Sequence, residues 1–154
     1  MKQLFPIGGV ILSLLLLGAG CERIVKTPSL STEPIRIGYI APLTGEAASV
    51  GVPGRQAVEL AVAEVNATGG VNGRPLELMA EDGKCSPKDG TLAASKLMDV
   101  DHVVAIVGGL CSSETSAFAP AAMQKKVIVI SHGSSAPSLS QTGKYFFRSY
   151  PSDA

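Results

Sequence analysis

The sequence predicts an α/β fold in which a doubly wound parallel sheet lies between helices. Short runs of apolar, largely β-branched residues recur along the chain, and each is followed by a loop rich in small residues. Stretches with helical character separate most of these runs, which is the alternation that a parallel sheet requires. The composition agrees with this fold class. Ala, Val, Leu and Gly are plentiful and Trp is absent, which favours helices packed closely on a sheet over a β-sandwich.

The length and charge of the chain limit the number of domains and the classes of partner that can be expected. The 154 residues suffice for one domain of ordinary size but not for two large ones. Lys and Arg together number 13, as do Asp and Glu, so the formal net charge is zero, and no dense basic run is present. Proteins that bind nucleic acid usually carry clustered positive charge, so no nucleic-acid partner is expected.

The N-terminus predicts export from the cytoplasm. The apolar segment Leu4–Leu17 is short for a membrane span, which needs about 20 apolar residues. The sequence Leu17-Gly18-Ala19-Gly20-Cys21 that follows resembles the lipobox of bacterial lipoprotein signal peptides. This resemblance implies a signal peptide at 1–20, lipidation of Cys21, and a Ser-, Thr- and Pro-rich tether at 21–34. An ordinary secretory signal or an uncleaved anchor is the alternative. Each alternative places the mature part in the periplasm or at the cell surface.

The folded part is predicted to contain five strands, at residues 35–40, 76–80, 103–107, 127–130 and 145–150. A long loop is expected over 41–53, followed by an amphipathic helix whose apolar stripe is Val58, Ala61, Val62 and Val65.

The second and third helices have clear sequence signals. Ser86, Pro87 and Asp89 have the pattern of an N-cap, a proline at the first helical position and an acid in the first turn, so a helix is expected from there to about Met98. A third helix is expected to open in the Ser- and Thr-rich segment after residue 111. Pro120 should kink that helix or begin a second segment.

The loops after the strands, at 41–53, 81–86, 108–115 and 131–137, are rich in Gly, Ser and Thr. In parallel sheets these loops meet at the carboxyl edge, where ligands bind near the point at which the strand order reverses. The hydroxyls of Ser112, Ser113 and Thr115 stand at a predicted helix N-terminus, where unpaired N–H groups and the helix dipole favour a small anion. These hydroxyls would alternatively serve only as helix caps.

Cys85 and Cys111 also lie just past strand ends. If Cys21 carries the lipid, Cys85 and Cys111 are the two remaining cysteines of a protein in an oxidising compartment. This predicts a disulfide between them, which would stabilise the fold by roughly 3 kcal/mol. Free buried thiols are one alternative. A metal site formed by the two cysteines with His102 and His132 is another, although no typical metal-ligand spacing is present.

Together, four segments resemble the N-terminal lobe of periplasmic binding proteins of the leucine/isoleucine/valine type. They are Ile37–Gly45, Val65–Arg74, Asp82 with Cys85-Ser86-Pro87, and Gly108–Ser113. The similarity covers Ile35 to Asp153. It implies a type I periplasmic binding protein fold, with 35–154 as a first lobe whose second lobe lies outside this sequence. Such proteins are substrate-binding components of ABC importers, in which two lobes close around a free amino acid or a related small ligand.

The resemblance also implies roles for individual residues. Ser112 matches the serine whose hydroxyl binds the ligand carboxylate, Gly133 a position whose carbonyl accepts from the ligand ammonium, and Ser135 a hydroxyl residue that contacts the same zwitterion. Cys85 and Cys111 match the family disulfide. Val50 stands where many amino-acid binders of this family carry an aromatic residue over the ligand side chain.

The leading hypothesis is therefore capture of a branched-chain or other small amino acid, an amide or a related carboxylate for import, with ABC permease subunits as partners. No catalysis and no cofactor are expected, because no Gly-x-Ser-x-Gly, Walker or Gly-x-Gly-x-x-Gly sequence occurs. One alternative is the ligand-binding ectodomain of a sensor or receptor. Another is a secreted hydrolase that uses Ser134 or Ser112 with His132.

Overall fold

A computed structural model of the protein describes residues 33–154. The strands are β1 (Ile35–Ala41), β2 (Leu76–Asp82), β3 (Ala105–Gly108), β4 (Ile128–Ser131) and β5 (Phe146–Arg148), and the helices are α1 (Ala48–Ala67), α2 (Pro87–Ser95) and α3 (Ser112–Lys125). All strand pairs are parallel, in the order β2-β1-β3-β4-β5. The predicted α/β class with a doubly wound parallel sheet is confirmed. The predicted signal peptide, Cys21 and most of the tether lie outside the described residues.

The first helix begins earlier than expected. The sequence predicts a loop over 41–53, but α1 starts at Ala48 and includes Pro53. Pro53 is exposed, so the carbonyl that loses its helical partner has access to water. Gly51 allows the start of the helix to lie against the sheet, because a Cβ there would overlap the Pro42 carbonyl oxygen. Close approach to the end of β1 therefore replaces the predicted long loop with a short one.

The start of α2 is as predicted. The Ser86 hydroxyl accepts from the Asp89 N–H at 3.4 Å, and Pro87 occupies the first turn. The expected helix to Met98 instead ends as α-helix at Ser95 and continues as a π-helical turn over Lys96–Val100.

Of the two alternatives predicted at Pro120, a kink or a second segment, the second segment is wrong, because α3 runs through that residue as one helix. Pro120 points to solvent, whereas Phe118, Ala119 and Ala122 are fully or almost fully buried on the opposite side. Packing of these three side chains offsets the hydrogen bond that the proline removes.

The strands differ from their predicted bounds at the ends. The third begins two residues later than expected, and the fifth is limited to three residues. A 3₁₀ turn at Pro137–Gln141, which the sequence analysis missed, precedes the fifth strand. No helix within residues 33–154 has both the length and the apolar character that a membrane span requires.

The main core lies on one face of the sheet. There α2 and α3 pack on Ile40, Ile106 and Val129, one residue from each of the three central strands. On the opposite face α1 packs on β1 and β2, while Ile128, Ile130 and Phe147 remain 40%, 42% and 54% exposed. Helices therefore cover one face fully and half of the other.

Candidate functional site

The carboxyl ends of β1, β3 and β4 bring the candidate ligand residues together. The chain passes from β1 to β2 in one direction and to β3 in the other, so the strand order reverses between β1 and β3. Loops that leave adjacent strands in opposite directions separate at such a point and leave room for a ligand. Ser112 opens the helix after β3, and residues 132–136 follow β4 directly. Side-chain hydrogen bonds connect these two loops.

The Ser112 hydroxyl joins the loop after β4 to the N-terminus of α3. Its Oγ accepts from the backbone N–H of Ser135 and from that of Ala136, each at 3.1 Å. A serine hydroxyl has two acceptor lone pairs and one proton. Both lone pairs are therefore used, and the hydroxyl proton is left to donate. The predicted proximity of Ser112 and Ser135 is present in the structure.

Whereas the Ser112 hydroxyl acts as an acceptor, the Ser135 hydroxyl acts as a donor. It donates to Asp153 Oδ2 at 2.6 Å, because an ionised carboxylate only accepts. The Asp153 N–H in turn donates to the Ser135 carbonyl at 3.0 Å. The Ser135 Oγ therefore keeps lone pairs with which to accept from a further group. Asp153 was missed by the sequence analysis, since it follows the last strand and carries no motif linked to the site.

Gly133 lies two residues before Ser135, on the loop after β4. A Cβ at this position would overlap the Leu110 side chain, so only glycine allows the loops after β3 and β4 to pack so closely. Beneath it, the Ser131 hydroxyl donates to the Gly109 carbonyl at 2.7 Å, and the Ser134 N–H donates to the Ser131 Oγ at 3.0 Å. This buried network fixes the path of the loop.

Arg148 on β5 supports the other side of the loop. Its guanidinium donates to the Ala136 carbonyl at 3.0 Å and also to the Ser140 hydroxyl. Since the Ala136 N–H donates to Ser112, Arg148 and Ser112 both contact the backbone of the same residue, Ala136.

The two cysteines lie beside the N-terminus of α3. The Cα atoms of Cys85 and Cys111 are 5.1 Å apart, within the range that a disulfide spans, and the structure joins their sulfur atoms. The Ser113 hydroxyl donates to the Cys85 carbonyl at 3.0 Å, which ties the loop after β2 to α3 a second time. Ser113 therefore has a structural contact, and so does Thr115, whose hydroxyl is 2.7 Å from the buried Ser134 hydroxyl.

Glu114 is a further residue that the sequence analysis missed. Its side chain is fully buried, its Oε2 accepts from the Leu110 N–H at 3.1 Å, and its Oε1 has no hydrogen-bond partner. Burial raises the pKa of Glu114 to about 7, and the nearby Asp82 adds to the rise, while the N–H groups of Cys111 and Leu110 oppose it. The available signal was its place three residues after the N-cap residue Cys111, the position at which a Glu side chain folds back on the helix start.

Asp82 at the end of β2 orders the loop after β1. Its Oδ1 accepts from the Leu43 N–H at 2.8 Å and from the Lys84 N–H at 3.1 Å, and its Oδ2 accepts from the Thr44 hydroxyl. Burial pushes the pKa of Asp82 up, but these hydrogen bonds outweigh burial and hold it below the usual range. Asp82 is therefore ionised at neutral pH.

The hydrolase and metal alternatives find no support in the geometry. The His132 ring stacks on Tyr39 with centroids 5.8 Å apart, and neither ring nitrogen has a hydrogen-bond partner within the described chain. No serine is thus poised for activation by this imidazole. His102 precedes β3 whereas His132 follows β4, so the two histidines lie at opposite edges of the sheet. Residues 33–154 contain no group of three or more potential metal ligands.

Comparison with known proteins agrees with the fold. Residues 34–154 match the family of periplasmic binding proteins. The chain belongs to the periplasmic binding protein family. An amino acid binding protein of Pseudomonas aeruginosa is 35% identical over 107 residues, which is 70% of this chain and 29% of that protein. The Leu/Ile/Val-binding protein of Escherichia coli K12 is 29% identical over 125 residues, 81% of this chain and 34% of that protein.

Solved structures give the same answer. The branched-chain amino acid transporter substrate binding protein LivJ from Streptococcus pneumoniae, in complex with isoleucine, superposes with a TM-score of 0.74 and 28% identity, over 78% of this chain and 34% of that protein. This periplasmic binding protein thus spans about a third of the length of the relatives it matches. The two bacterial relatives above are named as binding proteins, not as enzymes, whereas another relative, the gamma-aminobutyric acid type B receptor subunit 1 of Mus musculus, is named as a receptor and is 34% identical over 84% of this chain and 14% of that protein.

Two further features of this periplasmic binding protein, Val50 and a cavity, lie on other elements than Ser112 and Ser135. Val50 lies in the first turn of α1 with 56% of its surface exposed, on a different element from Ser112, Gly133 and Ser135. A cavity of about 360 Å³ opens between the loops after β1 and β2, and Val50 is not part of its lining. Its lining is formed by Thr44, Gly45, Glu46, Ala47, Lys84 and Cys85.

Proposed function

We propose that residues 35–154 form the N-terminal ligand-binding lobe of a substrate-binding protein that serves an ABC importer. In this proposal the ligand is a free amino acid with a small or branched apolar side chain, and a second lobe completes the cleft. The relatives support this ligand class, since those matched include an amino acid binding protein and a Leu/Ile/Val-binding protein.

The observation that carries the proposal is the opposite polarity of two neighbouring hydroxyls. Ser112 has its acceptor sites filled and keeps a proton to donate, which suits a carboxylate. The Ser135 hydroxyl donates its hydrogen bond to Asp153, so its oxygen keeps lone pairs that can accept from an ammonium group. The N-terminus of α3 adds partial positive charge on the Ser112 side, and Asp153 adds negative charge on the Ser135 side. A zwitterion matches this pair of sites in one orientation.

The remaining parts of the proposal concern attachment and assembly. Lipidation of Cys21 would hold the protein at the outer face of a membrane, near the permease subunits that receive the ligand. A disulfide between Cys85 and Cys111 would fix the loop that leads into Ser112, consistent with an oxidising compartment. Val50 would line the ligand side-chain pocket from α1, and Gly133 would offer its carbonyl to the ammonium.

The test is calorimetric titration of the full-length natural protein with a panel of free amino acids. Leucine, isoleucine or valine should bind. Ser112→Ala should weaken binding roughly tenfold to a hundredfold, since a hydrogen bond to a charged group is lost. Ser113→Ala is the matched control, because its hydroxyl contacts Cys85 rather than the site, and its affinity should stay within about twofold. Failure of every amino acid to bind, or wild-type affinity of Ser112→Ala, would contradict the proposal.

A further inference from the structure

The carboxyl group of Glu114 lies under the loop that presents Ser112. Glu114 occupies the first turn of α3, two residues after Ser112, and its side chain folds back so that Oε2 accepts from the Leu110 N–H. Glu114 is fully buried, and its other oxygen, Oε1, has no hydrogen-bond partner. A buried carboxylate with an unpartnered oxygen is costly, whereas the protonated carboxyl is tolerated.

Glycine backbone encloses this carboxyl group. A Cβ at Gly83 would overlap Glu114 Oε1, a Cβ at Gly109 would overlap Oε2, and a Cβ at Gly90 would lie 2.7 Å from the Glu114 Cγ. These glycines come from the loop after β2, the loop after β3 and helix α2. Three separate elements therefore shape a compartment that the carboxyl group fills.

No cation compensates the charge of Glu114. On β1 the titratable group that interacts electrostatically with Glu114 is Tyr39, but its side chain lies against α1 on the opposite face of the sheet, where its hydroxyl donates to the Gly51 carbonyl at 2.9 Å. From the end of β2 it is Asp82, a like charge.

The flanking charges of α2 and its preceding loop are engaged with each other, since Lys84 pairs with Asp89 at 3.3 Å. The loop after β3 presents N–H groups and the Cys111 sulfur. Within residues 33–154, none of the ion pairs involves Glu114.

We propose that Glu114 is a positioning residue that couples capture of the ligand carboxylate at Ser112 to the uptake of one proton by the Glu114 carboxyl group. This inference rests on the proposed function, which places the ligand carboxylate at Ser112. An ionised Glu114 already draws on the partial positive charge at the start of α3, so it competes with the ligand for this charge and repels it. A protonated Glu114 leaves the helix N-terminus to the ligand.

The coupling has a defined sign. Carboxylate binding raises the pKa of Glu114 further, because a second negative charge arrives beside it, and by linkage the protonated protein binds more tightly. Burial already places that pKa at about 7, so the effect falls in the neutral range. Affinity for leucine should be highest in mild acid and should decline as pH rises above neutral, by at most tenfold per pH unit. The carboxylate and ammonium of leucine do not titrate over this range.

The experiment is titration of the full-length protein with L-leucine at several values between about pH 5.5 and about pH 8.5, in two phosphate-free buffers at each pH, one of low and one of high ionisation enthalpy. The two buffers differ in ionisation enthalpy, so the difference in observed heat reports the protons taken up. We expect affinity roughly threefold to thirtyfold weaker at the alkaline end, which corresponds to net uptake that peaks at roughly 0.3 to 0.7 proton near and just above neutral pH. This measurement needs no variant, so it remains decisive if substitution of Glu114 disturbs folding.

Two variants assign the proton. Glu114→Gln should abolish both the uptake and the pH dependence of affinity. His132→Gln is the matched control, because His132 is a second titratable side chain near the site, and it should retain both. Leucine affinity that is constant with pH, or pH dependence that persists in Glu114→Gln, would overturn the coupling and leave the proposed function standing. Absence of leucine binding at every pH would overturn the proposed function instead, and the coupling with it.

Discussion

Asp82 and Glu114 are two carboxyl groups at the same edge of the sheet, and they have opposite properties. Asp82 accepts from two backbone N–H groups and a hydroxyl, and these donors hold its pKa below the usual range. Glu114 is fully buried, one of its oxygens is unpartnered, and burial raises its pKa to about 7. The supply of donors, weighed against burial, therefore decides that Asp82 is fully ionised at neutral pH and that Glu114 is only partly ionised.

The different pKa values of Asp82 and Glu114 suit the two carboxyl groups to different roles. The fixed charge of Asp82 ties the loop after β1 to the loop after β2, through Leu43, Thr44 and Lys84. Glu114 is placed to change its charge near neutral pH, beside the helix N-terminus that receives the ligand in our proposal. Gly83 follows Asp82 directly and borders the compartment of the Glu114 carboxyl group. The buried position of Glu114 therefore depends on the absence of a side chain at Gly83.

The largest effect is expected from Gly83→Ala. The added methyl group would overlap Glu114 Oε1 and lie 2.8 Å from the Ile40 Cγ2 atom, so the buried carboxyl would have to move. We expect a loss of about 3 kcal/mol or more in the free energy of unfolding, measured by urea denaturation. Gly73→Ala is the control, since its methyl meets nothing within 4 Å and only its positive φ of 77° is strained. That cost is about 1 kcal/mol. Equal losses in the two variants would contradict the steric explanation.

Most of the fold could be predicted because its signals are local. Apolar runs locate all five strands to within about three residues, and Ser86 with Pro87 and Asp89 locates the start of α2. Predictions failed where tertiary contacts override local preference. Pro53 and Pro120 suggest a loop and a break, but both point to solvent while their helices pack against the sheet on the other side.

The site could be predicted only in part. Ser112 and Ser135 stand next to strand ends, so the topology of a parallel sheet brings them together, and the structure joins them through the Ser135 N–H. Asp153 approaches Ser135 only because the chain turns back after β5, a long-range contact without a sequence pattern. Glu114 has the local signal of a helix-start acid, but its full burial depends on the glycines of three other elements.

The second largest effect is the pH dependence of stability that Glu114 causes. Its pKa is about 7 in the folded protein and 4.5 in an unfolded chain, so the folded state holds the proton more tightly. The contribution of Glu114 to the free energy of unfolding is therefore fully present below about pH 4.5 and is lost as pH rises through about 7. At higher pH this contribution no longer changes. The loss is on the order of 2–3 kcal/mol.

Urea denaturation between about pH 5 and about pH 8 measures this loss directly. Glu114→Gln carries no charge at any pH, so its stability should not show this decline. A decline of the same size in Glu114→Gln would assign the titration to another group. A wild-type protein whose stability is constant across this range would show that Glu114 is not the pH-sensitive partner of the pair.

The smallest effect is expected at Asp82. Asp82→Ala removes the acceptor for the Leu43 and Lys84 N–H groups and for the Thr44 hydroxyl, all of which water can reach in part, so we expect a loss of about 1–2 kcal/mol at neutral pH. Asp82→Asn keeps one acceptor oxygen and should lose less. Because the pKa of Asp82 is lowered by folding, its contribution is present at neutral pH and is lost as pH falls below the usual aspartate range.

The same substitution tests the link between the two acids. Asp82 helps to raise the pKa of Glu114, so removal of its charge in Asp82→Asn should move the Glu114 transition to lower pH. Urea denaturation of wild type, Asp82→Asn and Glu114→Gln over the same pH series distinguishes the two contributions. If the transition in Asp82→Asn stays at the wild-type pH, the two carboxyl groups titrate independently, and the pKa of Glu114 is set by burial against the N–H groups of Cys111 and Leu110.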